Sequence, residues 1–264
     1  MRIHTAAAAG LGLGVALIAS AGAERAAADP VSLTGIQDFD MTAVFRPLFS
    51  SFPDRNAITT QARWQVNGDM TGSTGTLGIF TVFDINGADL RPAAGAASVD
   101  SLIFDLFPAV NMDTGTGGIQ GAGDLSIYFT TNNEDLLDPD SDIIFDNGGG
   151  TDPTGLGSQF ANLTLLSSDF QDAGIYDIQR TADISGLESF LLNAINNEEN
   201  IRFIFASQTG NFTSQFGTGN PDMSSSFDFF GEAPVVTFDV TAVPAPGGAA
   251  LLALAGLAGA RRRR

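Results

Sequence analysis

Apolar residues recur at every second position in several short stretches of the chain. Phe39, Met41, Ala43 and Phe45 alternate with Asp38, Asp40 and Thr42 on one flank or between them. Ala62, Trp64 and Val66 alternate with Gln61, Arg63 and Gln65, and Val236, Phe238 and Val240 with Thr237 and Asp239. Leu125, Ile127 and Phe129 alternate with Ser126, Tyr128 and Thr130. A period of two is that of a pleated strand with one buried face. Trp64 is therefore expected in the core, and Tyr128 on the exposed side of its strand. Leu77–Ile85, Leu102–Phe107 and Ile201–Ala206 are apolar on both faces and read as central strands. Leu163–Leu166 and Ile175–Ile178 are shorter candidates.

Turn-forming clusters separate these runs: Asn67-Gly68-Asp69, Asn86-Gly87, Asn147 to Gly150, and Asn220-Pro221-Asp222. They supply positive φ or a fixed φ where the chain must reverse. One stretch changes period. Leu187, Leu191 and Ile195, with Phe190 and Ala194, form a helical stripe behind Ser185-x-x-Glu188, which reads as a capping box. The helix should end at Asn196-Asn197 and pack on a sheet face or plug one end of the core. The expected fold is an all-β antiparallel β-sandwich, most simply a jelly roll, with one short amphipathic helix. It occupies residues 29–241 as one domain.

Hydrophobic segments flank that domain. Residues 1–28 combine a basic start at Arg2, an uncharged run from Thr5 to Ala23, and an Ala-x-Ala site at Ala26–Ala28. These are the parts of a secretory signal peptide, with cleavage expected after Ala28 and an earlier cut after Ala23 as the alternative. Residues 242–264 hold the apolar run Gly247–Ala260 and then Arg261, Arg262, Arg263 and Arg264. As a helix that run spans about 21 Å, short of the roughly 30 Å bilayer core, so it suits transient retention in the inner membrane with the arginines inside.

Val243, Pro244 and Pro246, the apolar run and the arginine cluster, in that order behind a signal peptide, resemble the PEP-CTERM sorting signal. Ala245 stands where that signal usually has glutamate. The resemblance covers the tail alone. It implies a bacterial protein exported to the cell surface or beyond, and an exosortase-type membrane enzyme as the sorting partner.

Charge narrows the chemistry of the body. With Arg2, Glu24, Arg25 and the last four arginines set aside, residues 29–241 keep 29 acidic residues and six arginines, a net charge near −23. Such a surface repels nucleic acid and anionic lipid. The chain has no cysteine and no lysine, and its only histidine is His4, inside the expected leader. An imidazole-based triad, a thiolate or histidine zinc site, a Schiff base and a lysine P-loop are thereby excluded from the mature body. The glycines of Gly115–Gly123 are read as flexible turns, lacking both the lysine and the helix that a phosphate loop needs.

Carboxylate chemistry is what remains. Asp138, Asp140, Asp142 and Asp146 form the densest acidic stretch and are the candidate calcium ligands. Ile143 and Gly149 occupy the glycine and glutamate positions of an EF-hand, so only a looser calcium loop fits. Paired carboxylates for glycoside cleavage cannot be matched along a sequence, and none is assigned a catalytic role. The expected function is structural or adhesive, in the extracellular matrix or at the cell surface. The alternative is a calcium-dependent carbohydrate-binding module acting on extracellular polysaccharide.

Overall fold

A computed structural model describes residues 29–34, 41–46, 54–57, 63–68, 79–111, 118–137, 163–207, 209, 212–217, 229–230 and 232–243. Residues 1–28, 138–162 and 244–264 are among those outside this set.

The strands in chain order are β1 (Asp29–Thr34), β2 (Met41–Arg46), β3 (Asp54–Ala57), β4 (Arg63–Asn67), β5 (Phe80–Asn86), β6 (Ala96–Leu106), β7 (Val110–Asn111), β8 (Ile119–Gly121), β9 (Gly123–Thr130), β10 (Thr164–Gln171), β11 (Ile178–Thr181), β12 (Asn200–Ala206), β13 (Thr213–Gly217), β14 (Phe229–Phe230) and β15 (Val235–Ala242). Among the described residues two helices interrupt them, α1 (Gly87–Leu90) and α2 (Glu188–Asn197). The fold is all-β, and its described strand pairings are antiparallel. One sheet has the order β1-β15-β6-β11 and a second the order β10-β9-β12-β5-β2-β3; β4-β13-β8 and β14-β7 are smaller.

The two larger sheets share one core. Phe104 of β6 lies edge-on to Phe203 of β12 at 5.2 Å between ring centres, and Phe203 is 6.3 Å from Phe238 of β15. Offset and edge-on rings interlock in this way because the positive rim of one meets the negative face of another. Trp64 of β4 extends the core under the three-stranded sheet. Its ring stacks on Phe216 at 4.0 Å, meets Phe83 edge-on at 5.1 Å, and donates Nε1–H to the Gly217 carbonyl. The sequence-based expectation for Trp64 holds.

Strand β12 is buried from Ile201 to Ala206, as expected of a central strand, and Arg202 is the one charged residue in that run. Two other readings need correction. Ser126 and Tyr128 of β9 are buried rather than exposed, Tyr128 to 5 %. Strand β9 lies between β10 and β12, and Tyr128 and Ser126 stand opposite Ile204 and Ala206 on a second covered face. The alternation there is one of hydroxyl against hydrocarbon, with Ser126 satisfied by Ser168 at 2.8 Å. Conversely, Leu102–Phe107 is not covered on both sides. Strand β6 begins at Ala96 and alternates, with Leu102, Phe104 and Leu106 buried and Ile103 and Asp105 half-exposed.

Asn86-Gly87 is likewise no turn. Asn86 caps α1 by accepting from Ala88 N at 2.9 Å. Gly87 serves a close approach: a Cβ there would lie 2.4 Å from the Ala194 carbonyl oxygen of α2. The longer helix presents the expected stripe, with Leu191, Ala194 and Ile195 buried against β6 and α1. Asn196 then meets Ala96 of β6 as a neighbouring strand would. Its Oδ1 accepts from Ala96 N and its Nδ2 donates to Ala96 O, both at 2.9 Å.

The start of α2 differs from a Ser185 capping box. Ser185 N donates to Asp183 Oδ1 at 3.0 Å, and Glu188 Oε2 accepts from Gly186 N at 2.8 Å. The Ser185 side chain and amide hold the Asp183 carboxyl below its ordinary value of 3.8. A carboxylate with a depressed folded-state pKa stabilises above its unfolded value, and that contribution fades as pH falls through the folded value. Asp183→Ala should therefore lower the melting temperature at pH 7 and narrow its gap from the native protein at acid pH, whereas Asp183→Asn, which keeps an acceptor, should lose less. Melting curves from pH 7 down to pH 3 check this.

Candidate functional site

Large apolar side chains left in water are the first pointer to a working surface on this protein. Six stay exposed among the described residues, and four of them, Leu165, Phe170, Ile175 and Tyr176, lie on one continuous segment. Phe170 is 61 % exposed and Tyr176 48 %. The segment is β10, the connection 172–177 and the start of β11.

This segment is an arch. Strand β10 is the outer strand of the six-stranded sheet and β11 the outer strand of the four-stranded one. The chain crosses from one sheet to the other along their open edge. Asp183 N donates to the Leu166 carbonyl at 2.8 Å and so ties the two arms together. Register sets the faces: Leu165 and Phe170 stand opposite Tyr128 and Asp124, on the side of the sheet away from the shared core. The ladder slips between Leu165 and Ser167, a bulge of the kind that twists an edge and limits further strand pairing.

Strand β8 braces the crown of the arch. Ile119 N donates to Ile175 O at 3.0 Å, and Gly174 N donates to Ile119 O at 2.7 Å. Gly118, at φ 75°, makes this approach fit, since a Cβ would sit 2.5 Å from Ile175 O. Gly118→Ala should cost about 1–3 kcal/mol through strain and displacement of the crown. Urea denaturation gives the magnitude. Faster hydrogen exchange at Gly174 and Ile119 would locate the disturbance.

Inside the arch lies Arg180 of β11, opposite Phe104 in the ladder and so on the core side. Its Nη1 reaches Asp169 Oδ2 of β10 at 3.2 Å. The side chain of Arg180 is 14 % exposed and that of Asp169 is 60 %. Arg180 Nε and Nη2 are buried with no hydrogen-bond partner. Each such donor costs about 1–3 kcal/mol of lost hydration. Arg202 of β12 shows the contrasting arrangement. Its Nε and Nη2 donate to the two oxygens of Asp84 on β5 at 2.6 and 2.7 Å, and Nη1 donates to the Asn132 carbonyl at 2.8 Å.

Asp138, Asp140, Asp142 and Asp146 lie outside the described residues, as do Pro244, Pro246 and Arg261–Arg264. The adjoining Asp135 closes its own turn by accepting from Leu137 N at 2.9 Å. Among the described residues no three His, Cys, Asp or Glu side chains gather closely enough to hold a metal, and no helix is long and apolar enough to cross a membrane. Val243 is 40 % exposed and its amide donates to Gly95 O at 2.8 Å. Tyr176, not Tyr128, is the exposed tyrosine. An isolated aromatic within Ser167-Ser168-Asp169-Phe170-Gln171-Asp172 was the available signal for the arch. A shallow cavity of about 210 Å³ between Leu90, Pro92, Val31 and Val240 is smaller than ordinary ligand sites. Neither a protein-family model nor a curated protein matches this chain.

Proposed function

We propose that this is an exported bacterial surface or extracellular-matrix protein with a structural or adhesive role and no catalysis, whose contact surface is the β10–β11 arch. The observation that carries the reading is the braced, exposed set Leu165, Phe170, Ile175 and Tyr176. It sits on a body without imidazole, thiol or amine side chains once His4 is removed. A rigid apolar and aromatic surface gives contact area at low entropic cost. The leader and the PEP-CTERM-like tail support delivery by export, brief inner-membrane retention and processing by an exosortase-type enzyme.

The body is, in this reading, a jelly-roll sandwich. Apart from β2 and β3, each large sheet contributes four strands. The first and last strands of the set, β1 and β15, are neighbours, and only β9 and β10 are consecutive within one sheet. That order supports the paired Greek keys of a jelly roll.

The exposed ring of Tyr176 favours a second reading, a carbohydrate-binding module that stacks on sugar faces, with calcium held by Asp138, Asp140, Asp142 and Asp146. Washing cells that carry the native protein or the double variant Phe170→Ser/Tyr176→Ser separates the readings. The adhesive reading expects the variant to be released while its melting temperature stays close to native. Equal retention of both proteins would sink it. Release of the native protein by a chelator would support the calcium-dependent module. Export is tested by mass: the released protein should lack residues 1–28 and the arginine cluster, and substitution of Pro244 and Pro246 should leave the tail attached.

A further inference from the structure

The geometry points to a carboxylate-binding site at Arg180, in the seam between β10 and β11. The Nε and Nη2 hydrogens of a guanidinium lie side by side on one edge and match the two oxygens of a carboxylate. The protein uses this same edge of Arg202 to hold both oxygens of Asp84. On Arg180 that edge is buried and has no acceptor, because Asp169 occupies the other nitrogen, Nη1. An acceptor that enters the seam restores two charge-assisted hydrogen bonds that the closed seam lacks.

Charge selects among acceptors. Asp169 already offsets the Arg180 cation, and the protein carries a formal net charge of −18. A singly charged carboxylate meets less repulsion than sulfate or phosphate, and it fills the fork better than a neutral hydroxyl. Both nitrogens are closed to solvent, so entry requires local opening of the seam between β10 and β11. The site stands independently of the adhesive reading, since it concerns the inner side of the arch and a small ligand.

The test is titration of the ¹⁵N-labelled full chain at fixed ionic strength, following the Arg180 Nε–H signal. Sodium glucuronate, sodium acetate, sodium sulfate and glucose are the probes. Glucuronate should move the signal saturably and glucose should leave it unmoved. Acetate acting as well as glucuronate would identify a free carboxylate as sufficient, whereas glucuronate acting alone would identify a sugar acid; both support the site. Arg180→Lys, which keeps the charge and loses the fork, should weaken binding by about tenfold or more. Asp169→Asn should tighten it severalfold by removing the competing charge. An unmoved signal with every carboxylate, an equal response to glucose, tighter binding of sulfate, or undiminished affinity in Arg180→Lys would each overturn the proposal. If Arg180→Lys fails to fold, Asp169→Asn decides alone, and absence of tightening refutes the site.

Discussion

Replacing Arg202 by methionine is expected to destabilise the protein by about 3–5 kcal/mol, the usual cost of removing one member of a buried ion pair. Arg202 and Asp84 are each 2 % exposed and sit opposite one another on the adjacent strands β12 and β5. The loss is dominated by what stays behind. Without its cation, the Asp84 carboxylate remains in a site that water does not reach, and the Asn132 carbonyl loses the Nη1 donor at 2.8 Å. Methionine fills much of the volume, so the deficit is electrostatic and not a cavity. Replacing both partners, Asp84→Leu with Arg202→Met, should recover most of the loss, because a packed apolar pair avoids the desolvation of two charges. Urea denaturation of the two single variants and the double variant measures the coupling. A single variant within 1 kcal/mol of native (about the value of a surface ion pair) would show that the pair is not closed off from water as described.

Trp64→Ala should cost a similar amount, about 3–5 kcal/mol. The indole is fully buried and touches the rings of Phe216, Phe83 and Phe205. Its removal opens a void where the three-stranded sheet meets the six-stranded one, and also strips a hydrogen bond from Gly217 O. Phe216 is on β13, so the loss should loosen β4 from its neighbours before the two large sheets separate. Hydrogen exchange should therefore accelerate in β4 and β13 more than in β12. Uniform acceleration would indicate that the indole supports the whole core equally.

Much of this architecture was legible along the chain, for a definite reason. Strands β12 and β15 announce themselves because burial on two faces, or on one, leaves a local pattern. The same holds for the Leu187–Ile195 stripe of α2. The sequence shows only Leu163–Leu166 of strand β10, because the bulge after Leu165 breaks the period and the edge position leaves Phe170 in a polar run. The capping-box reading of α2 fails because the helix starts at Glu188 behind Leu187, with no side-chain cap hydrogen bond, while Asp183 and Glu188 serve the turn before it. The pattern alone does not place Tyr128, because a hydroxyl does not reveal whether its strand is covered on both sides.

The chemistry of the arch was less legible still. Arg180 meets Asp169 across the edges of two different sheets, and Arg202 meets Asp84 from 118 residues away. No local spacing encodes such partners. The six arginines of the body look equivalent in a composition, yet two of them sit in very different surroundings. Arg202 has its fork filled, and Arg180 has its fork open.

The position of β15 has a mechanical consequence. It runs between β1 and β6, with Val235–Val240 paired along both flanks and Thr241 and Ala242 along β6 alone, and the chain leaves it at Val243. Traction applied beyond that residue pulls the strand lengthwise. Both ladders are then sheared together, instead of parting rung by rung as in a zipper. A tether attached at this end would draw on the combined strength of two rows of hydrogen bonds before the fold yields.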